Sequence, residues 1–294
     1  MTESSCVEFL QWALPRLALA WPGFRRVRRQ VCRRIGRRTQ DLKLPDLLAY
    51  RAYLEAHREE WALLDSLCRI PISRLLRDRI VFDRLGTEVL PELAAAATAR
   101  GQRELRFWSA GCACGEEPYS LKILWTLELA SRFPDLSLAV VATDIDERLL
   151  ERARAARYRA SSLRELPGVW VEKAFARSDG LFELRPEFRA GVEFLRQDVR
   201  EEAPQGPFDL ILCRNLVFTY FSESLRRMTL ERIRRELGPG GALVIGLRER
   251  LPEGAAGLAG WDSRLKIYRK VSSGENELSL KRPPPGGIGG KRWN

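Results

Sequence analysis

Hydrophobic residues recur at helical spacing from residue 4 to about residue 100. This pattern predicts amphipathic helices, each with one apolar face turned to a core. Pro15, Pro22 and Pro45 interrupt the pattern, and each predicts a helix end because proline cannot continue the hydrogen-bond ladder of a helix. We therefore predict an all-α N-terminal domain over residues 1–100.

The pattern changes after residue 100, where short apolar runs alternate with amphipathic stretches. Helices are predicted from about Glu116 and from Asp146. This βαβα alternation predicts a doubly wound α/β domain over residues 101–270. The predicted strands are 105–110, 138–143, 208–214, 242–247 and 265–269.

Two segments depart from this alternation. Short pieces punctuated by glycine predict a small antiparallel β insert at about residues 168–195. Residues 271–294 are rich in proline and glycine and bury too little apolar surface to offset their conformational entropy. We predict that this tail is disordered.

The composition is that of a globular protein, because 45% of the 294 residues are hydrophobic and 30% are charged. A chain of this length can build a core without disulfide staples. We find no apolar run of the roughly 18 residues that span a bilayer and no secretory signal. These features predict a cytoplasmic protein that does not insert into membranes.

Histidine and cysteine usage excludes several kinds of chemistry. His57 is the only histidine, which argues against Ser-His-Asp or Cys-His catalysis, and we expect it to lie on a helix surface. The cysteines form no CxxC pair, so we expect no metal site. The six cysteines are Cys6, Cys32, Cys68, Cys112, Cys114 and Cys213.

The net charge is +11, and the densest basic segment is 25–38, with eight arginines. Val27, Val31 and Ile35 recur among them at helical spacing, which predicts a helix with an apolar stripe and a cationic face. Such a face suits an acidic partner, either nucleic acid or a carboxylate-rich protein surface. The alternative is a solvated face, since arginine dominates the basic residues throughout the chain.

A turn of small residues, Gly111 to Gly115, follows the strand 105–110. Glycine lets a ligand approach the backbone at the carboxyl end of a strand, where doubly wound sheets bind ligands. The turn lacks the GK[ST] and GxGxxG patterns that hold phosphates. Glu116 and Glu117 come next and suit a cationic or hydroxyl-rich ligand, although acids at a helix N-terminus are also favoured by the helix dipole.

Polar residues also end the other predicted strands. Asp144 ends the second strand, where an acid commonly binds a ribose diol, although an N-cap is the alternative role, for which Asp146 competes. Asp198 and Asn215 lie at further predicted strand ends. Together these side chains predict a cleft for a small polar cofactor with a ribose and an adenine.

Three segments carry a resemblance to a known family. They read FWSAGCACGEEPYS from Phe107, ATDID from Ala142 and FDLILCRN from Phe208. The chain resembles the CheR family of S-adenosylmethionine-dependent protein-glutamate O-methyltransferases over about residues 25–270. The resemblance implies a class I methyltransferase (Rossmann-like) sheet with an all-α N-terminal domain and a small antiparallel β insert. It also implies the cofactor S-adenosyl-L-methionine, which leaves as S-adenosyl-L-homocysteine.

Site residues follow from the resemblance position by position. Arg77 and Tyr220 are the implied catalytic residues, and we expect the Arg77 guanidinium to hold the incoming carboxylate bidentately. Asp144 is implied to bind the ribose. The implied cofactor-binding residues are Ser73, Arg77, Gly111, Gly115, Glu117, Asp144, Ile145, Asp198, Val199, Asn215 and Leu216.

Some positions depart from the family pattern. The family's Asn-x-Thr-x-Phe-Phe-Arg segment reads Pro71 to Arg77 here, where proline cannot supply the amide contact and Leu75-Leu76 replace the phenylalanines. The segment before Tyr220 is one residue longer, and the family's Gly-His-Ser-Glu is Gly-Leu-Arg-Glu from Gly246. These changes predict an altered lid over the methyl donor.

Methyl transfer to glutamate side chains of a signalling protein, chemoreceptor-like in type, is the predicted function. A carboxylate is ionised at neutral pH, so neither histidine nor metal is needed. The family's basic N-terminal face implies an acidic helical substrate, and its β insert in some members binds a receptor peptide by strand addition. One alternative is a catalytically silent cofactor-binding sensor or scaffold. Nucleic-acid methylation is disfavoured, because Cys213-Arg-Asn stands where an Asn/Asp-Pro-Pro-Tyr-type motif is expected.

Overall fold

The computed structural model describes residues 3–271, which form two compact units. The first unit contains the chain up to residue 71 together with 215–228, and the second contains 72–214 and the chain from 229 onward. Residues 72–100, which the sequence groups with the N-terminal helices, make their contacts within the second unit. The predicted disordered tail, from residue 272 onward, lies outside the described residues.

The first unit is helical, as predicted. Pro15 and Pro22 each lie in the first turn of a short helix, and Pro45 precedes Asp46, whose carboxylate accepts a hydrogen bond from the Ala49 backbone N–H at 2.8 Å. Its helices are α1 (Glu3–Ala13), a 3-10 turn (Leu14–Leu17), α2 (Trp21–Phe24), α3 (Arg28–Asp41), α4 (Leu47–Ala56) and α5 (Glu60–Cys68).

Helices α1, α3, α4 and α5 pack around one core. Val31 and Ile35 are fully buried, as the apolar stripe predicts, whereas Val27 precedes the first residue of α3. A disulfide joins Cys6 of α1 to Cys32 of α3. Cysteine spacing alone does not reveal such connectivity. Disulfides are rare in reducing compartments such as the cytoplasm, so this bond would be unusual there. The cytoplasmic location stays a prediction.

A seven-stranded sheet organises the second unit, with strand order β6-β2-β1-β7-β8-β10-β9. Strand β10 runs antiparallel to its two neighbours, and the other neighbouring strands pair in parallel. The central strands are buried along nearly their whole length, which explains their continuous apolar runs. The strands are β1 (Glu104–Ala110), β2 (Ser137–Asp144), β6 (Val192–Arg196), β7 (Phe208–Cys213), β8 (Leu237–Ile245), β9 (Leu258–Asp262) and β10 (Ile267–Lys270).

A three-stranded antiparallel sheet, order β3-β5-β4, forms the insert. It begins at residue 157, earlier than predicted. The last part of the predicted insert belongs instead to the main sheet, where Val192 to Arg196 pair in parallel with Val140 to Asp144. The insert strands are β3 (Arg157–Tyr158), β4 (Phe175–Ser178) and β5 (Leu181–Leu184).

Helices flank both sheets. The π-helical turns Leu85–Val89 and Trp125–Leu129 extend α6 and α8, and a 3-10 turn (Ala130–Arg132) follows the second of them. Every helix within residues 3–271 is too short or too polar to pass through a lipid bilayer. The remaining helices are α6 (Arg79–Arg84), α7 (Leu90–Ala99), α8 (Glu116–Leu124), α9 (Glu147–Ala155), α10 (Ala160–Leu163), α11 (Gly168–Ala174), α12 (Pro186–Arg189), α13 (Val217–Tyr220), which belongs to the first unit, and α14 (Glu223–Glu236).

Candidate active site

Four neighbouring strands end at one edge of the main sheet, three of them at or near a charged residue and one at the turn of small residues. Asp198 follows β6, Asp144 ends β2, the glycine turn follows β1 and Arg214 follows β7. Backbone hydrogen bonds join the first three ends, since Gln197 N–H donates to the Asp144 carbonyl at 3.1 Å and Gly111 N–H donates to the strand-β2 carbonyl of residue 143 at 2.8 Å. The carboxyl edge of a doubly wound sheet is where ligands bind.

The glycine turn has an unusual backbone. Gly111, Ala113 and Gly115 have φ values of 74°, 49° and 84°. Position 115 requires glycine twice over, because the left-handed conformation strains other residues and an added Cβ would lie 2.9 Å from the Ala153 Cβ of α9. This turn brings bare backbone to the sheet edge, as the sequence predicts.

Asp144 organises the turn. One oxygen of its carboxylate, Oδ2, accepts from the Ala113 N–H at 2.9 Å, and the other, Oδ1, accepts from the Asp146 N–H at 3.0 Å. Asp146 is the N-cap of α9, accepting from the Arg148 N–H at 3.0 Å. Asp146, and not Asp144, therefore has the N-cap role, while ribose binding by Asp144 stays a prediction. Each carboxylate oxygen has a second lone pair, so Asp144 can also accept from hydroxyl groups.

Glu117 is held by two side chains. Ser109 Oγ donates to its Oε1 at 2.7 Å, and Arg214 Nη1 donates to its Oε2 at 3.2 Å. Arg214 Nη2 also donates to Asp78 Oδ2 at 2.7 Å and to the Arg77 carbonyl at 2.8 Å. Sequence reasoning missed Ser109, Asp78 and Arg214 as site residues, although Arg214 occupies the same kind of strand end as its neighbour in the predicted site.

Glu116 has a different environment from Glu117. It is buried, and burial raises the pKa of its carboxyl, which the Ser73 hydroxyl and the charge of Arg152 partly oppose. The cofactor contact of Ser73 stays a prediction. Because Glu117 is fixed by specific partners, the helix dipole alone does not account for the paired acids.

The segment before α6 is anchored through its backbone. Leu75 and Leu76 are buried in the core of the second unit; Leu75 N–H donates to the Ser162 carbonyl at 3.0 Å, and Leu76 N–H to Ser120 Oγ at 2.8 Å. The leucines that replace the family's phenylalanines therefore serve packing. Arg77 Nη1 donates to the carbonyl of residue 72 at 2.6 Å.

The remaining predicted residues of this unit lie beside the same edge. Asp198 forms an ion pair with Arg200, with Nη2 at 2.7 Å from Oδ2. Val199 is buried and its carbonyl accepts from Arg232 Nη1 at 3.1 Å. Ile145 is half-buried directly after β2. Their cofactor contacts stay predictions.

Asn215, Leu216 and Tyr220 belong to the first unit. Asn215 has a φ of 57°. Tyr220 ends α13, where its ring lies 5.0 Å from the ring of Phe24 and its carbonyl accepts from the Ala20 N–H at 2.7 Å. The roles of these residues at the cofactor and in catalysis stay predictions.

The edge suits one kind of cofactor. Fixed carboxylates such as those of Glu117 and Asp144 are of the kind that can accept hydrogen bonds from an ammonium or from hydroxyl groups, and a turn of small residues leaves its backbone open to a close ligand. A seven-stranded sheet with one reversed strand and this edge define the class I S-adenosylmethionine-dependent methyltransferases.

Comparisons with known proteins place the chain within that class. The family model "CheR methyltransferase, SAM binding domain" matches residues 72–261. The chemotaxis protein methyltransferase of Salmonella typhimurium is 33% identical over 258 residues, which cover 80% of this chain and 85% of that protein. An "uncharacterized 104.1 kDa protein in hypE 3'region" of Rhodobacter capsulatus is 32% identical over 86% of this chain, which spans 26% of that protein.

Among solved structures, the N-methyltransferase NodS from Bradyrhizobium japonicum WM9, in complex with S-adenosyl-L-homocysteine, is 16% identical. The match covers 56% of this chain and 61% of that chain with a TM-score of 0.30, a likeness that supports no conclusion about this chain. The family model and the relatives, in contrast, show the family of this chain. The chain belongs to the CheR methyltransferase family, and S-adenosylmethionine is its cofactor.

Proposed function

We propose that this protein transfers the methyl group of S-adenosylmethionine to glutamate side chains of an acidic, helical, chemoreceptor-type signalling protein in chemotaxis-type signal transduction. The observation that carries the proposal is the pair of fixed carboxylates, Glu117 and Asp144, on the cofactor edge of a CheR-family sheet. The relative from Salmonella typhimurium is named as a chemotaxis protein methyltransferase, which supports the assignment.

The residues at the edge suit this chemistry. S-adenosylmethionine supplies a methyl group on a positively charged sulfur. Asp144 would bind the ribose hydroxyls and Glu117 the amino group of the cofactor. Arg77, part-buried beside them, would grip the substrate carboxylate through its guanidinium. A glutamate carboxylate is already ionised at neutral pH, so these residues need only orient the substrate and exclude water.

The arginines of segment 25–38 fall into two sets. In the first set, Arg28 donates to the Arg25 carbonyl, Arg34 donates to the carbonyls of residues 67 and 69, and Arg38 pairs with Glu60. The other set forms an exposed basic face suited to acidic helices. Its members are Arg25, Arg26, Arg29, Arg33 and Arg37.

The altered lid segment favours an active enzyme over a silent scaffold. Leu75 and Leu76 are completely or almost completely buried, and hydrogen bonds hold the backbone at Leu75, Leu76 and Arg77. The two leucines that stand in place of phenylalanine therefore pack in the core of the second unit. Arg77 remains at the position of the family's arginine.

The test is transfer of labelled methyl from S-adenosylmethionine into proteins of the host lysate, followed by mild base. Label released as methanol from a discrete protein, and lost with Asp144→Asn, supports the proposal. The matched control is Asp146→Asn, which retains a helix-capping side chain and should keep activity. Base-stable label indicates nitrogen or nucleic-acid methylation and contradicts the proposal. Cofactor binding without any label supports the silent scaffold.

A further inference from the structure

We infer that Arg214 is a positioning residue, which fixes the Glu117 carboxylate, the Arg77 backbone carbonyl and the Asp78 carboxylate in one cofactor-competent arrangement. The inference deepens the proposed function and rests on its assignment of Glu117 to the cofactor. Arg214 lies between the end of β7 and the segment that precedes α6, so it joins parts of the chain that are distant in sequence.

The geometry of Arg214 is that of a bridge. Its two terminal nitrogens reach three acceptors: Glu117 Oε2 at 3.2 Å, Asp78 Oδ2 at 2.7 Å and the Arg77 carbonyl at 2.8 Å. The side chain is 2% exposed, and its guanidinium carbon lies 5.4 Å from the ring centroid of Phe82. A planar guanidinium can make all these contacts at once, whereas the point charge of a lysine cannot.

The positive charge of Arg214 is needed to keep the Glu117 carboxylate in its observed orientation. Ser109 fixes one oxygen but carries no charge, so Arg214 is the cation that pairs with this carboxylate. It pairs with Asp78 as well. Without Arg214, two carboxylates would face each other without compensation, and like charges at short range repel. Glu117 would then turn away from its fixed position.

The segment itself does not depend on Arg214 for its fold. Leu75 and Leu76 are buried, and their N–H groups bond to Ser162 and Ser120 independently of the bridge. Loss of Arg214 should therefore loosen Glu117 and residues 77–78 and leave the core in place. This separation allows a positioning role to be distinguished from a purely structural one.

The experiment is a double-mutant cycle on the full chain, read as S-adenosylmethionine affinity by calorimetry. We expect Arg214→Met to weaken binding at least tenfold and Arg214→Lys to weaken it two- to fivefold, because lysine keeps the charge but not the fork. In a Glu117→Gln background, itself weakened, Arg214→Met should cost clearly less affinity than in the wild type, because only its contacts with Arg77 and Asp78 remain to be lost. The matched control, Arg234→Met, removes a different and more exposed arginine–glutamate pair of the second unit, that with Glu231, and should leave cofactor affinity unchanged.

Several results would overturn the inference. Wild-type affinity in Arg214→Met or in Glu117→Gln would do so, as would the same tenfold loss in both backgrounds, since a general structural defect would not need Glu117. If Arg214→Met fails to fold, the cycle is run with Arg214→Lys. Wild-type protein that binds the cofactor but transfers no methyl group would refute the proposed reaction and leave the role of Arg214 intact, while absence of binding would refute both.

Discussion

Two arginine–carboxylate networks, one in each unit, use the same chemistry for different ends. In the first unit, Arg38 binds both oxygens of Glu60 at 2.9 and 2.7 Å, and the Tyr50 hydroxyl donates to one of them at 2.8 Å. In the second, Arg214 divides its donors between Glu117 and Asp78. In the first network, which we call the closed network, both oxygens of a single carboxylate are bonded by Arg38 and Tyr50. In the second, one arginine pairs with two carboxylates.

Exposure separates the two networks further. The side chain of Glu60 is 5% exposed, while those of Glu117 and Asp78 are 14% and 28% exposed. The hydrogen bond from Arg38 lowers the pKa of the Glu60 carboxyl, as expected for a fully committed ion pair. Glu60 is thus bonded entirely within the protein. Glu117, held in place by the buried Arg214, is exposed enough to accept a hydrogen bond from a ligand as well.

The largest expected effect is on the closed network. Arg38→Met should lower the free energy of unfolding of the first unit by about 3–5 kcal/mol, because it leaves the buried Glu60 without its cation. Hydrogen exchange localised to residues 4–71 measures the change. Arg51→Gln, which removes an exposed pair with Glu55, should cost less than about 0.5 kcal/mol. Equal effects of the two variants would contradict the comparison.

The disulfide should contribute the next largest effect. It closes a loop with a sequence separation of 26, and Cys6→Ser should destabilise the first unit by roughly 3 kcal/mol through the unfolded state. A thiol reductant should lower the melting temperature of the wild type and leave Cys6→Ser unchanged. If the reductant has no effect on the wild type, the pair is not joined in solution.

The exposed basic face offers a smaller, salt-dependent effect. Replacing both Arg33 and Arg37 by glutamine should slow methylation of an acidic substrate about tenfold at low salt, with the difference shrinking as salt is raised. Cofactor affinity should not change. Arg103→Gln, an exposed arginine of the second unit, serves as the control. A loss independent of salt would count against electrostatic attraction of the substrate.

The smallest effect concerns pH. Because the folded pKa of Glu60 lies below its ordinary value of 4.5, its contribution to stability is present above pH 4.5 and is lost as pH falls through the lower folded value. Urea unfolding at several pH values should therefore show a steeper acid loss for the wild type than for Arg38→Met. Parallel curves would mean that Arg38 does not perturb Glu60.

Much of the fold was predictable because it follows from local patterns. The apolar runs that became β1 and β7 are buried along nearly their whole length in a parallel sheet, and such continuous apolar runs can be recognised from the sequence. Strand β9 was not predicted, since its five residues Leu258–Asp262 carry no alternation and include a glycine. The place of Val192–Arg196 in the main sheet was also missed, because strand partners depend on distant residues.

The sequence by itself determined the class of sheet, the glycine turn and the acids that follow it, because strand periodicity and the demands of a left-handed turn are local properties. It also carried the motif that marks the family. Tertiary structure alone decided how the two neighbouring acids differ, with Glu116 buried and Glu117 held by Ser109 and Arg214. The physical reason is that burial and ion pairing depend on residues almost a hundred positions away, which only the folded chain brings together.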